Sequence, residues 1–159
     1  MTATSFTTSG GKAITIKKPF YQQTSISIEI DADTSIIWAL LTNASDFPRW
    51  NSTVTSLEGE IKKGEKIRLK SYLDKKRTFK IKVRELIPEK SMVWGDGQGK
   101  RIFKLESNPD SSITFRMSEK IGGFMYPLYA KHLPDFDESF EKFAADLKKE
   151  AELIANTKI

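Results

Sequence analysis

The sequence predicts an α+β chain in which a curved antiparallel sheet of about six to seven strands wraps around a long C-terminal helix, with two short helices after the first strand. Three observations carry this. Apolar residues alternate with polar ones through most of the chain, as on strands with one buried face. The segments between the alternating runs are too short for parallel crossovers, so neighbours pair as hairpins. After Gly122-Gly123 the apolar spacing changes from two to three and four residues, the period of a helix.

Met1 to Lys12 is rich in Thr, Ser and Gly without an apolar period, so residues 1–19 read as a flexible tail and 20–159 as a single domain. Ser25-Ile26-Ser27-Ile28-Glu29-Ile30 predicts a strand with its three isoleucines on one face. Asp33 or Thr34 then caps a short helix holding Ile36, Ile37, Trp38, Leu40 and Leu41. Pro48 is expected to push Phe47 out of helical geometry and to end the helical stretch. The aromatic turn Phe47-Pro48-Arg49-Trp50 carries two large rings, and it reads as the lid or rim of a pocket.

Beyond this turn, Ile67, Leu69, Ser71 and Leu73 share one strand face, and Phe79, Ile81 and Val83 another, with a turn expected at Asp74-Lys75-Lys76. Met92 and Trp94 alternate in a shorter strand ending at Gly95-Asp96-Gly97. Two further strands, with Arg101, Phe103 and Leu105 and then Ile113, Phe115 and Met117, join through Asn108-Pro109-Asp110. Phe136, Phe140, Phe143, Ala144, Leu147, Ala151 and Ile154 form one stripe of the final helix, and Tyr126 to His132 a separate leading turn.

A chain of 159 residues supports a real core. No apolar run approaches the roughly 20 residues of a membrane span, and the N-terminus, with one lysine in its first sixteen residues, does not read as a secretory signal. The absence of cysteine excludes disulfides and thiolate metal sites and is compatible with the cytoplasm, the expected location. One histidine makes zinc hydrolase chemistry or a histidine triad a poor fit; neither a metal nor a cofactor is expected. Charge is uneven: Glu60–Lys90 holds 12 Lys/Arg against 5 Asp/Glu, and Asp135–Glu152 holds 3 against 7. The basic stretch can steer an anionic partner, but its lysines alternate with apolar residues as on a solvated sheet face, and no nucleic-acid partner is expected.

With these residues set out, the chain resembles the START-like, or SRPBCC, superfamily, in particular its polyketide cyclase/dehydrase and lipid-transport-like members. The matching pieces are Trp38-Ala39-Leu40-Leu41-Thr42, Phe47-Pro48-Arg49-Trp50-Asn51, Leu57-Glu58-Gly59 followed by Gly64, Met92-Val93-Trp94, Glu119-Lys120-Ile121-Gly122-Gly123 and the helix through Phe143 and Leu147. The resemblance implies a helix-grip fold with a cavity for a hydrophobic small molecule. The chain departs from the pattern where Ser52 follows Asn51, in the short Gly95–Gly99 segment, and at Arg101, a position that is often histidine in the family.

Arg101 shares strand parity with Phe103, and Glu119 with Met117, so both charges point inward as a pair able to anchor a ligand carboxylate or hydroxyl. They are also the leading catalytic candidates, with Asp96 and Tyr129 completing the limited supply of acid-base groups. Trp50, Trp94, Phe103, Phe115, Met117, Phe124, Tyr129, Phe136 and Phe140 are the expected apolar walls, with Asp96 and Asn51 at a rim. Each of these residues also has a plainer reading, as core packing or as a turn former. His132 is expected to be exposed and incidental. The resulting order of functions is a carrier or sensor of a lipid or polyketide-like molecule, then a polyketide cyclase/dehydratase-type enzyme, then an interaction module using the basic sheet face. The sequence assigns no oligomeric state.

Overall fold

The computed structural model describes residues 9–157. Eight antiparallel strands form one sheet: β1 (Ile14–Lys17), β2 (Tyr21–Ile30), β3 (Val54–Glu58), β4 (Lys66–Ser71), β5 (Asp74–Ile87), β6 (Ser91–Gly95), β7 (Gly99–Ser107) and β8 (Ile113–Gly122). Their order is β1-β2-β8-β7-β6-β5-β4-β3. Helices α1 (Thr34–Thr42) and α2 (Phe47–Trp50) follow β2, α3 (Tyr126–Tyr129) follows β8, and α4 (Asp137–Thr157) lies across the concave face. This is the helix-grip architecture the sequence predicts, with more strands than expected.

The additional strand β1 takes its place from part of the expected tail. Ile14–Lys17 pairs with Gln22–Ser25 as an edge strand. The Thr15 hydroxyl bonds both Thr24 and the Asp137 carboxylate at the start of α4, and Ser9 is bonded to Ser27. Residues 1–8 of that tail lie outside the described residues.

Two further expectations are corrected by packing. Phe47 is helical (φ −51, ψ −47), because Pro48 stands in the first turn of the new helix α2, where its missing N–H costs no hydrogen bond. The aromatic turn is also no rim. Phe47 and Trp50 are buried, their rings 4.8 Å apart and about 6 Å from Phe143 of α4. The β4–β5 turn falls at Tyr72-Leu73, since Ser71 pairs with Asp74. Asp33 is the N-cap of α1 through its backbone carbonyl, without a side-chain cap bond.

The basic stretch alternates as a solvated face does. Lys66 lies opposite Lys82 and Arg68 opposite Lys80, all exposed, while Ile67 and Val83 are fully buried. Near its C-terminal end, α4 is tied to the end of β2. Lys148 donates to the Glu29 carbonyl and to Glu152, which also accepts the Asp31 N–H. Burial pushes the Glu152 carboxyl up, but the Lys148 and Asp31 hydrogen bonds outweigh it and hold the group below its ordinary value. The stabilisation is therefore present above the ordinary carboxylate range and lost as pH falls through the lowered value. Glu152→Gln should cost no more than about 1 kcal/mol at neutral pH, a difference that disappears in urea titrations carried down below the ordinary carboxylate range.

Candidate functional site

The concave face is filled in the middle and hollow at one end. Phe143 fills the middle. Its ring stacks on Phe115 and lies about 6 Å from those of Phe47, Phe103 and Trp50. Toward the start of α4 the sheet and helix part around a cavity of about 440 Å³. One wall is the β4–β5 hairpin, with Leu69, Phe79 and Ile81 facing inward. Trp94, Arg101 and Glu119 form the sheet side, and Leu133, Pro134, Phe136, Ser139 and Phe140 the helix side.

The hairpin reaches so far because β5 is much longer than its neighbour. It runs over 14 residues against 5 in β6, so Asp74 to Ile81 extend beyond β6, paired only with β4, and overhang the cavity. Leu69, Phe79 and Ile81 are only partly buried although they point inward, since the space they face is open. The sequence reading assigned their face correctly and gave them no part in the cavity. The signal was the alternation of Phe79, Ile81 and Val83, which begins too far upstream for a strand paired only with Met92-Trp94.

Across the sheet floor, Val83, Trp94, Arg101, Glu119 and Thr24 are consecutive cross-strand partners on β5, β6, β7, β8 and β2. Directly paired residues share a face, so these five side chains form a single inward row. Arg101 Nε and Nη2 donate to the two Glu119 carboxylate oxygens at 3.3 and 3.4 Å. Those lengths exceed the roughly 2.7–2.9 Å of a tight charged pair. Two of the five guanidinium donors are engaged this way, which leaves others for a ligand. The Arg101 guanidinium also lies over the Phe140 ring at 5.0 Å, a contact that offsets part of its lost hydration. Beside it, the Trp94 indole packs edge-on against Phe103, and its Nε1 is buried without a hydrogen-bond partner.

Of the residues singled out from the sequence, the cavity brings together Trp94, Arg101, Glu119, Phe136 and Phe140. Trp50, Phe103, Phe115 and Met117 lie in the core beneath it, within or around the cluster centred on Phe143, and do not line it. Phe124 is 89% exposed: it follows the end of β8 at Gly122 and has the opposite parity to the inward Phe115, Met117 and Glu119. Tyr129 is half-buried against Tyr126 and does not reach the cavity. Asp96 borders the cavity while its carboxylate accepts the Gln98 and Gly99 N–H groups. Asn51 is buried, its Oδ1 accepting from Thr53. His132 is exposed, as expected, but stands at the cavity edge. Among the described residues no His, Asp and Glu group is arranged to hold a metal ion, and no helix is long and apolar enough to cross a membrane.

Several solved structures share this architecture. A conserved protein of unknown function from Enterococcus faecalis is similar over 93% of this chain and 80% of its own, at 15% identity and a TM-score of 0.64. A START superfamily protein from Mycobacterium smegmatis is similar over 83% of this chain and 98% of its own, at 14% identity and a TM-score of 0.61. DynU16, a protein of the dynemicin biosynthetic locus, is similar over 84% of this chain and 48% of its own, at 14% identity and a TM-score of 0.61. At these identities the likeness is one of fold alone. No curated protein sequence matches this one. Residues 31–152 match the model of the Activator of Hsp90 ATPase homolog 1-like protein family, and with that match and its helix-grip fold the chain belongs to this family, within the START-like SRPBCC superfamily.

Proposed function

We propose that this protein binds a hydrophobic small molecule bearing one hydrogen-bond-accepting group, as a carrier or sensor. The observation that carries the reading is the coincidence, in one cavity of about 440 Å³, of apolar walls with the loosely paired Arg101. That volume falls within the roughly 300–1,000 Å³ of small-molecule pockets, which are typically apolar with a few convergent polar groups. The general use of the START-like fold as a container for apolar ligands supports the same reading. Glu119 offers both its oxygens to Arg101, an arrangement that favours holding a ligand over moving a proton.

The test is native mass spectrometry of the purified protein before and after organic extraction, together with titration by an anionic naphthalene probe. A retained apolar molecule, or saturable probe binding, is the expected result. Leu69→Trp, which fills the hairpin side of the cavity, should weaken probe binding by about tenfold or more, equivalent to about 1.4 kcal/mol, while the denaturant midpoint changes little. A protein that carries nothing and takes up no probe would overturn the proposal.

A further inference from the structure

The cavity end of the molecule carries an apolar surface that the binding site does not use. Phe124 is 89% exposed, Leu128 68% and Met125 54%. Phe20, 58% exposed, joins them from the β1–β2 turn, where its carbonyl accepts the Gly123 N–H. The two segments meet closely: a side chain at Gly122 would come within 2.4 Å of Tyr21 Cβ. Nor is the protrusion a loose loop. Tyr126, between the exposed residues, is buried at 3% exposure, and its hydroxyl donates to Gln22 of β2. One residue anchors the turn while its neighbours face the solvent.

The charges nearest it in sequence are basic, and Asp96, whose turn meets Gly122, has its carboxylate on the Gln98 and Gly99 N–H groups. Lys17, Lys18, Lys120 and Lys131 are exposed beside it. No acidic residue occurs between Lys12 and Ile28 or between Lys120 and Pro134. Of the flanking acids, Glu119 is paired with Arg101, and Asp135 accepts the Asp137 N–H at the start of α4. A convex apolar knob fringed by lysines matches the interface of an anionic bilayer, in which apolar side chains enter the acyl boundary and ammonium groups stay among the headgroups. Protein-binding patches are instead depleted in lysine relative to the rest of the surface. The cavity lining at His132, Leu133 and Pro134 continues directly from this turn.

We infer that this end of the protein docks reversibly on anionic lipid bilayers, with Phe124, Met125 and Leu128 entering the interface and Lys17, Lys18, Lys120 and Lys131 pairing with the headgroups. The docking needs no cavity ligand. Vesicle binding is read without the naphthalene probe and probe binding without vesicles, so the two proposals fail separately.

Sedimentation with phosphatidylcholine vesicles, with and without phosphatidylserine, tests it on the full chain. The protein should bind the phosphatidylserine vesicles, bind phosphatidylcholine weakly, and release with added salt. Phe124→Ser with Leu128→Ser should lower partitioning by about tenfold or more at an unchanged unfolding midpoint, since both side chains are exposed. Ile87→Ser, which removes an exposed apolar residue at the other end of the sheet, should change nothing. Three results would overturn the inference: no binding to anionic vesicles, binding indifferent to the double change, or binding lost instead with the outer-face set Lys66→Gln, Arg68→Gln and Lys80→Gln. Equal binding to soluble poly-glutamate, insensitive to the double change, would also overturn it and assign the lysines to an acidic protein.

Discussion

Phe143→Ala is expected to lower the unfolding free energy by about 3–5 kcal/mol, the cost of truncating a fully packed core phenylalanine. Phe143 is 1% exposed and touches rings from three other parts of the chain. Phe47 and Trp50 come from α2, Phe103 from β7 and Phe115 from β8, the last nearly parallel to it at 13°. These elements are joined through one side chain, so no single shift can close the void its removal leaves. The void would also be apolar, lined by rings that offer water no partner, and would stay dry. Denaturant unfolding should show a lower midpoint at an unchanged slope. Phe140→Ala makes the informative comparison. Phe140 is equally buried but borders the existing cavity, where the lost volume merges with open space, so its truncation should cost less stability and more probe binding. A loss below about 1 kcal/mol at Phe143 would mean that the aromatic cluster is not what holds helix and sheet together.

The same residue explains how far the sequence could be read. Alternation establishes which face of a strand a side chain occupies, and on that count Arg101, Phe103, Phe115, Met117 and Glu119 were all placed inward correctly. It does not establish depth along the strand. Arg101 and Phe103 are two residues apart, about 6.6 Å, yet the first faces the cavity and the second is sealed in the core. The difference is made by where Phe143 sits along the sheet, and that follows from the packing register of α4, a long-range property with no local signature. Phe47-Pro48 failed for a related reason: the proline's local preference is to end a helix, and the chain uses it to begin one, because burying Phe47 and Trp50 against Phe143 favours a tight turn there. Phe124 was counted with the walls for its aromatic ring alone, although its position has the opposite parity to the inward Phe115, Met117 and Glu119.

Arg101→Leu should abolish the preference of the cavity for acidic over neutral apolar probes, lowering affinity for the acidic probe by about tenfold or more. It should also destabilise the unliganded protein by about 1–3 kcal/mol, less than the roughly 3–5 of a fully buried pair, because the Arg101 and Glu119 side chains remain 16% and 21% exposed. Much of that cost is the carboxylate of Glu119 left facing Trp94 and Phe140 without its counter-charge. The double variant Arg101→Leu, Glu119→Leu should therefore recover stability without recovering the preference. Glu119→Gln then reports the chemistry of the natural head group. An anionic ligand is repelled by Glu119, so neutralising it should tighten binding. A hydroxylated ligand donates to Glu119, so the same change should weaken it. Opposite signs from one substitution distinguish the two head groups before any ligand has been identified. If Arg101→Leu leaves acidic and neutral probes ranked as in the wild type, the polar end of the ligand does not lie on the Trp94–Arg101–Glu119 row.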